Sequence, residues 1–340
     1  MLNKPLILLL LITVVLISSC ADRNTNWQDQ EVLTLVKQMP VVGDPMDISI
    51  DDTNAYIALD QGGFSIINMT DYGYRWFTSL TAFDGSVVPF IRVRNVSSVK
   101  TQNKLFINET DGTDLIHIID TTVFDSLRYL DSITGATQDV RCLKFFDIPN
   151  PTNQFTIEGM FTAGRKLNYG LFDGENNAWL GITMGISTPA TATGFDVNAT
   201  HFFVTTEQRG LQIYDKTDGA YVGSVVLPGE AQKTIVSGNY AYVTCQQSGL
   251  QIVDISNPAT PTIVSGIDTE GYATGIDIYQ NMVAVSSGIG GVYLFDVTSP
   301  SNPILMQNLT SCGYSNTVKF FNGKLIVASR DNGVLIYRID

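Results

Sequence analysis

Side chains suited to metal or nucleophilic chemistry are scarce in this chain of 340 residues. It has only two histidines, His117 and His201, and neither lies near another histidine or a CxxC pair. Zinc, copper and haem sites need clustered His or Cys ligands, and α/β-hydrolase nucleophiles lie in a GxSxG motif. Neither pattern is present. We therefore expect no metal site and no cofactor, and we interpret both histidines as ordinary strand side chains.

Carboxylates are abundant, with 33 Asp and Glu in the sequence. A pair of them acting as in a glycosidase remains possible, so the sequence leaves enzymatic activity open, although it favours none. Two stretches, NETDGTDLIHIID from Asn108 and FDGENN from Phe172, place oxygen ligands around glycine as calcium loops do. Neither has DxDxDG spacing, and such residues are also typical of hairpin turns, which we favour here.

The cysteines downstream of the N-terminal region are Cys142, Cys245 and Cys312. An odd number at wide, unrelated spacings does not make a disulfide framework. We predict that all three are small buried apolar side chains.

The charge balance excludes one class of partner. Twenty Lys and Arg face 33 Asp and Glu, for a formal net charge of −13. Nucleic-acid-binding surfaces need a basic stripe, and none is visible, so we expect no nucleic-acid partner. The same deficit disfavours electrostatic adhesion to anionic lipid.

The N-terminus indicates contact with a membrane by another route. Lys4 precedes a short apolar run, residues 6–17, which is too short for a comfortable transmembrane helix and has the proportions of a secretory signal. Ser18-Ser19-Cys20 resembles the lipobox of bacterial lipoproteins. The resemblance implies a signal peptide at 1–19 and lipidation of Cys20. An ordinary signal with an incidental cysteine is the alternative.

If Cys20 is lipidated, the polar residues up to 30 form a tether and residues 31–340 form the domain. The protein is then expected in the bacterial cell envelope, with the membrane as a partner through its lipid. Ala21 follows Cys20 where many inner-membrane lipoproteins have aspartate, which favours the outer membrane over the inner.

A phrase that recurs along the chain predicts the architecture. LQIVD, which ends at Asp254, has counterparts ending at the following positions: Asn68, Asp120, Asp173, Asp215, Asp296 and Arg338. The spacings are 52, 53, 42, 39, 42 and 42 residues. Seven units with a period near forty indicate a propeller or a solenoid.

Each unit consists of short strands and turns. In the sixth unit we predict strands at 276–279, 282–286, 292–297 and 304–309, and the TSPSNP connection suits a turn. Four antiparallel strands per period are typical of a propeller blade. The last unit has only three, at 317–321, 324–329 and 334–339. Its fourth is available in QEVLTLVKQMPVVGDP near the N-terminus. The prediction is an all-β, seven-bladed β-propeller whose last blade is closed by the N-terminal strand.

The units resemble the LVIVD repeat, which occurs in a bacterial family of expected β-propellers. LQIVDISNP, from Leu250, is close to the family phrase, LQIYD from Leu211 is nearly so, and VYLFD from Val292 is a weaker match. The resemblance covers roughly residue 30 to the C-terminus and is specific mainly from 194 to 303. It implies the propeller fold and says little about function.

The loops that enter each inner strand supply a candidate binding face. They carry a glycine followed by a variable residue, in the pairs Gly43-Asp44, Gly135-Ala136, Gly229-Glu230, Gly271-Tyr272 and Gly313-Tyr314, with Ala190-Thr191 in the fourth unit. The turns between second and third strands share that face and contribute Gln61, Arg209, Gln247 and Arg330. The candidate site is therefore Asp44, Glu230, Tyr272, Tyr314, Arg209 and Arg330. Solvated loops that bind nothing are the alternative.

Two classes of function fit these residues. A non-enzymatic binding or scaffold propeller, anchored to the membrane and directed at an envelope protein or an extracellular glycan, accounts for the lipid, the tether and the scarce catalytic side chains. A secreted hydrolase or lyase that uses carboxylates or tyrosines at the channel mouth is the alternative. We favour the binding protein.

Overall fold

The computed structural model describes residues 32–110, 114–123, 126–135, 137–147 and 156–340. The predicted signal peptide, Cys20, the predicted tether and Ala136 lie outside these residues. Leu33–Asp340 forms a single compact unit. In the described residues, no helix has the length and apolar character needed to span a membrane.

Nearly all of the regular structure is β. The strands from the N-terminus to the second blade are β1 (Leu33–Met39), β2 (Asp47–Ile50), β3 (Asn54–Ala58), β4 (Phe64–Asn68), β5 (Tyr74–Phe77), β6 (Ser79–Thr81), β7 (Val87–Pro89), β8 (Val93–Val99), β9 (Lys104–Glu109), β10 (Leu115–Asp120) and β11 (Arg128–Ile133). The third and fourth blades follow, with β12 (Leu143–Asp147), β13 (Thr156–Ala163), β14 (Lys166–Asp173), β15 (Ala178–Ser187), β16 (Ala192–Val197), β17 (His201–Thr206), β18 (Gly210–Asp215) and β19 (Tyr221–Val225).

The remaining strands build the last three blades. They are β20 (Thr234–Ser237), β21 (Tyr240–Thr244), β22 (Leu250–Asp254), β23 (Thr262–Ile267), β24 (Gly275–Tyr279), β25 (Met282–Ser286), β26 (Val292–Asp296), β27 (Ile304–Leu309), β28 (Ser315–Phe321), β29 (Lys324–Ser329) and β30 (Gly333–Ile339). Two single-turn 3-10 helices, Lys100–Gln102 and Thr310–Cys312, follow β8 and β27.

Seven four-stranded antiparallel sheets form the blades, as predicted. Six have consecutive strands, β2–β5, β8–β11, β12–β15, β16–β19, β20–β23 and β24–β27. The seventh has the order β1-β30-β29-β28, so the N-terminal strand is its outer strand, which confirms the predicted closure. The inner strands β28 and β2 contact each other, which joins the last blade to the first.

The hydrophobic core lies between neighbouring blades. One cluster, for example, joins Tyr242 and Ile252 of the fifth blade to Val283, Val285 and Phe295 of the sixth. The middle strands of each blade are buried on both faces, whereas outer strands such as β23 are largely exposed. A blade cannot bury both faces alone, and this requires that the unit recur around the ring.

The aspartate that ends the recurring phrase closes a turn. Asp254 Oδ1 accepts the Ser256 N–H at 2.8 Å, and these contacts with Ser256 hold the pKa of the Asp254 carboxyl below its usual range. The same bond, to the N–H two residues on, is made at Asn68, Asp120, Asp173, Asp215 and Asp296. The motif therefore specifies an Asx turn at the exit of each third strand.

The glycine that precedes the phrase permits a close backbone approach. Equivalent glycines in five blades have φ between +64° and +78°: Gly63, Gly210, Gly249, Gly291 and Gly333. A Cβ at these positions would lie 2.2 to 2.4 Å from a carbonyl oxygen of the neighbouring outer-strand end. Only glycine meets both conditions without strain.

This requirement leads to a stability prediction. Gly249→Ala places a Cβ 2.2 Å from the Ile267 oxygen at φ +64°, and we expect it to lower the free energy of unfolding by at least about 2 kcal/mol in urea titrations. The matched control is Gly238→Ala, with φ +56° and open space around the Cβ. It should cost only about 1 kcal/mol. Equal losses in both variants would contradict the role of close approach.

Candidate functional site

Three inner strands bulge where they enter the ring. The register of β8, β16 and β28 shifts at one position each, which leaves Arg94, Thr193 and Asn316 without a partner on the neighbouring strand. A bulge redirects the side chain of the extra residue, and bulges are frequent beside functional sites. All three residues line one cavity at the channel mouth.

The mouth cavity has a volume of about 700 Å³ and a wall of mixed charge. Its charged lining residues are Arg94, Arg141, Lys233, Asp47, Asp114 and Asp139. Asn95, Gln232, Asn316 and several threonine hydroxyls complete its polar lining. This volume is in the range of small-molecule sites, about 300–1,000 Å³.

A chain of polar contacts crosses the channel below this cavity. Asn95 Nδ2 contacts Asp47 Oδ2 at 3.4 Å and the Arg141 carbonyl oxygen at 3.5 Å. Lys233 Nζ, from the fifth blade, donates to the same carbonyl at 3.0 Å. Asp47, Lys233 and Thr317 also line a second cavity of about 450 Å³ deeper in the channel. The chain of contacts therefore lies between the two cavities.

Carboxylates deeper in the channel link neighbouring blades. Asp196 Oδ2 accepts the Val236 N–H and Asp277 Oδ2 accepts the Phe320 N–H, both at 2.7 Å. Lys144 pairs with Asp196 at 2.6 Å. Lys319 pairs with Asp277 at 3.5 Å, and the attraction of Asp277 raises the pKa of Lys319 although burial opposes it. These aspartates bind their neighbours, which gives them a structural role.

The rim of the mouth carries an aromatic–cation pair. The Arg330 guanidinium lies 4.0 Å from the centre of the Tyr314 ring. Their backbones are also bonded, because the Arg330 N–H donates to the Tyr314 carbonyl at 2.9 Å. The Tyr314 N–H in turn donates to Asp331 Oδ2 at 2.7 Å.

Tyr272 occupies the slot in the sixth blade that Tyr314 occupies in the seventh. Ala273, which follows Tyr272, forms a bridge with Gln246, and Ser315, which follows Tyr314, forms the same bridge with Gly288. In both cases a turn of the preceding blade holds the entry to an inner strand. Tyr272 is 46% exposed.

The other predicted residues of the face lie around the mouth cavity without lining it. Of the six candidates, only Tyr314 lines the cavity, and Arg330 stacks on its ring. Asp44 and Arg209 are exposed and Glu230 is half-buried. The sequence analysis missed Arg94, Arg141 and Lys233. Lining residues such as Lys233 lie three or four positions beyond the entry glycine, and this offset is the signal that could have identified that set.

The residues screened for chemistry are placed as structural groups. His117 lies in β10 and His201 begins β17, as predicted. His117 Nε2 contacts Glu109 Oε2 at 2.5 Å in the interior. Burial alone would raise the pKa of Glu109, but hydrogen bonds with His117 and the Ile91 N–H outweigh it and lower the pKa.

The remaining sequence expectations also concern structure. Cys142, Cys245 and Cys312 are buried free thiols, as predicted, and burial raises the pKa of Cys245 to about 12. FDGENN forms the hairpin turn between β14 and β15. NETDGTDLIHIID falls partly on residues 111–113, which lie outside the described residues. Across the described ranges, no three His, Cys, Asp or Glu side chains cluster in a way that could hold a metal ion.

Comparison with known proteins identifies the repeat. Residues 228–269 and 270–311 each match the LVIVD repeat model, and these stretches contain the four strands of the fifth and sixth blades. The chain therefore carries LVIVD repeats. No curated protein sequence matches the chain.

Solved structures agree on the fold. The WD40 β-propeller domain of Doa1 superposes with a TM-score of 0.68 at 13% identity, covering 91% of this chain and 97% of that one. The computationally designed Ika8 protein gives 0.65 at 10% identity, covering 90% and 99%. At such low identity these likenesses concern the fold alone.

Proposed function

We propose that this LVIVD-repeat propeller is a membrane-anchored lipoprotein that acts as a non-enzymatic binding or scaffold protein. Its partner is an envelope protein or an extracellular glycan. The observation that carries the proposal is the open polar mouth of about 700 Å³ with exposed aromatic and arginine side chains at its rim. Tyrosine and arginine are the residue types enriched at binding hot spots.

The ring is well suited to present such a surface. Each entry loop is held by backbone bonds to the preceding blade, as at Ala273–Gln246 and Ser315–Gly288. The rim side chains are thus ordered before a partner arrives, which reduces the entropy lost on binding. The proposed lipid on Cys20 supplies the membrane attachment, and the outer membrane is the favoured location because Ala21 follows Cys20.

A hydrolase or lyase remains the second candidate, because Asp47, Asp114 and Asp139 line the same cavity as Tyr314. Asp139 pairs with Arg141 at 3.0 Å, and Asp47 accepts the Val96 N–H at 3.3 Å. Partners that stabilise an ionised carboxylate work against a general acid, which must hold a proton. These contacts favour binding over catalysis.

Replacing the two rim tyrosines tests the proposal. The Tyr272→Ala, Tyr314→Ala double variant should keep its melting temperature within a few degrees, because both rings lie at the exposed rim. Binding to a partner identified on a glycan array or among envelope proteins should weaken by about 1 kcal/mol or more for each ring. Isothermal titration calorimetry measures the change.

The control variant removes two exposed tyrosines away from the rim. Tyr221 lies on outer strand β19, and Tyr279 is at the far end of β24 from Tyr272. Tyr221→Ala with Tyr279→Ala should leave affinity unchanged. A folded rim variant that binds as tightly as the parent would place the site elsewhere.

A further inference from the structure

The channel concentrates the cations of an acidic protein. The chain has 20 Lys and Arg and a net charge of −13. Five of these cations line the two channel cavities: Arg94, Arg141, Lys144, Lys233 and Lys319. Cations gathered in a concave wall attract anionic ligands.

Lys233 is the cation with the most unused hydrogen-bonding capacity. An ammonium has three donors, and the bond that the structure gives Lys233 Nζ goes to the neutral Arg141 carbonyl. Within the described ranges, Lys233 forms no ion pair, whereas Arg141, Lys144 and Lys319 each do. Its side chain borders both cavities, so a ligand in the mouth can reach it.

Arg94 adds a second incompletely neutralised charge. Its Nε lies 3.1 Å from Asp60 Oδ1, but Arg92 Nε lies 3.0 Å from the same oxygen. Two guanidinium groups thus share one carboxylate oxygen. The bulge in β8 places Arg94 on the mouth cavity, which Lys233 also lines.

The rest of the lining restricts the class of anion. Asp47, Asp114 and Asp139 also line the mouth, which disfavours a multiply charged phosphate or a polyanion. The same carboxylates and the amides of Asn95 and Asn316 suit the hydroxyl groups of a sugar. The ring of Tyr314, at the edge of the cavity, supplies an apolar surface for a pyranose face.

We infer that the mouth cavity binds an acidic sugar, a uronate, whose single carboxylate pairs with Lys233 and whose hydroxyls bond to the neighbouring amides and carboxylates. The inference rests on the proposed binding function and names the class of glycan. It assigns to Lys233 the role of anchoring cation, with Arg94 as the second charge.

Calorimetry with matched sugars tests the inference without any substitution. The probes are a galacturonic acid trisaccharide and its methyl ester, which keeps the hydroxyl groups and lacks the charge. The parent protein should bind the acid at least about tenfold more tightly than the ester, since charge-assisted hydrogen bonds are roughly twice as strong as neutral ones. Equal affinities, or no binding of the acid at millimolar concentration, would overturn the inference.

Substitution then locates the carboxylate. Lys233→Met should weaken binding of the acid at least about tenfold and leave binding of the ester unchanged, and Lys233→Arg should retain most of the affinity. Lys37→Met removes an exposed charge from outer strand β1 and should change affinity less than twofold. Unchanged binding by a folded Lys233→Met variant would refute the assigned role.

Two further outcomes separate this inference from others. Tighter binding of galactose 6-phosphate than of galacturonate would replace the carboxylate with a phosphate and overturn the inference. Capture of a partner that depends on Tyr272 and Tyr314, with no binding of uronates, would overturn the inference and leave the proposed function standing.

Discussion

A protein that lacks β1 (Leu33–Met39) is expected to aggregate or to melt at least about 10 °C below the parent. β1 pairs with β30 over six residue pairs, and Leu33 and Met39 are buried at its two ends. Met39 packs with Ile48 of the first blade and Val334 of the last, so the deletion weakens the contact that closes the ring.

The expected size follows from these losses. Two buried apolar side chains contribute about 4 kcal/mol together, and in a protein of this size such a loss lowers the melting temperature by about 10 °C. The deletion also exposes the edge of β30 to pairing with other chains. Differential scanning calorimetry and light scattering measure the two effects.

A shorter deletion serves as the control. Removing residues 21–30 affects only the predicted tether, and we expect the melting temperature to stay at the parent's value. If the protein without β1 melts like the parent, the N-terminal strand contributes nothing to closure, and the seventh blade is stable with three strands.

Cys20→Ser is expected to release the protein from the membrane fraction or to stall its processing. If the proposed lipid provides the attachment, serine removes the thiol that carries it, and an acidic domain has no electrostatic attraction to anionic lipid to replace it. Fractionation of cells that express the full chain, followed by a high-salt wash, measures the loss. We expect most of the variant protein in the soluble or unprocessed pool.

Cys142→Ala is the matched control, because it also removes one thiol but leaves the N-terminal signal unchanged. It should fractionate with the membrane like the parent. Full retention of Cys20→Ser in the washed membrane fraction would refute the lipoprotein proposal and, with it, the envelope location derived from Ala21.

Strand content, blade number and ring closure could all be predicted from the sequence. The reason is that they depend on local signals that repeat, such as the Asp at the end of each third strand and the turn residues between strands. In the sixth blade, the predicted strands at 276–279 and 292–297 differ from β24 and β26 by one residue each. The β6–β7 hairpin was missed, although the 52-residue spacing between Asn68 and Asp120 had room for it.

The lining of the channel mouth was decided by tertiary structure. Strand alternation alone does not place Arg94 and Asn316 in the cavity, because a bulge at each position shifts the register. The Arg330–Tyr314 stack joins two loops, and Lys233 reaches the carbonyl of Arg141, 92 residues earlier in the chain. The sequence by itself determined which residues form strands and that the strands repeat, since these depend on near neighbours. Which side chains meet over the channel depends on how seven blades pack around one axis, and only the folded ring decides it.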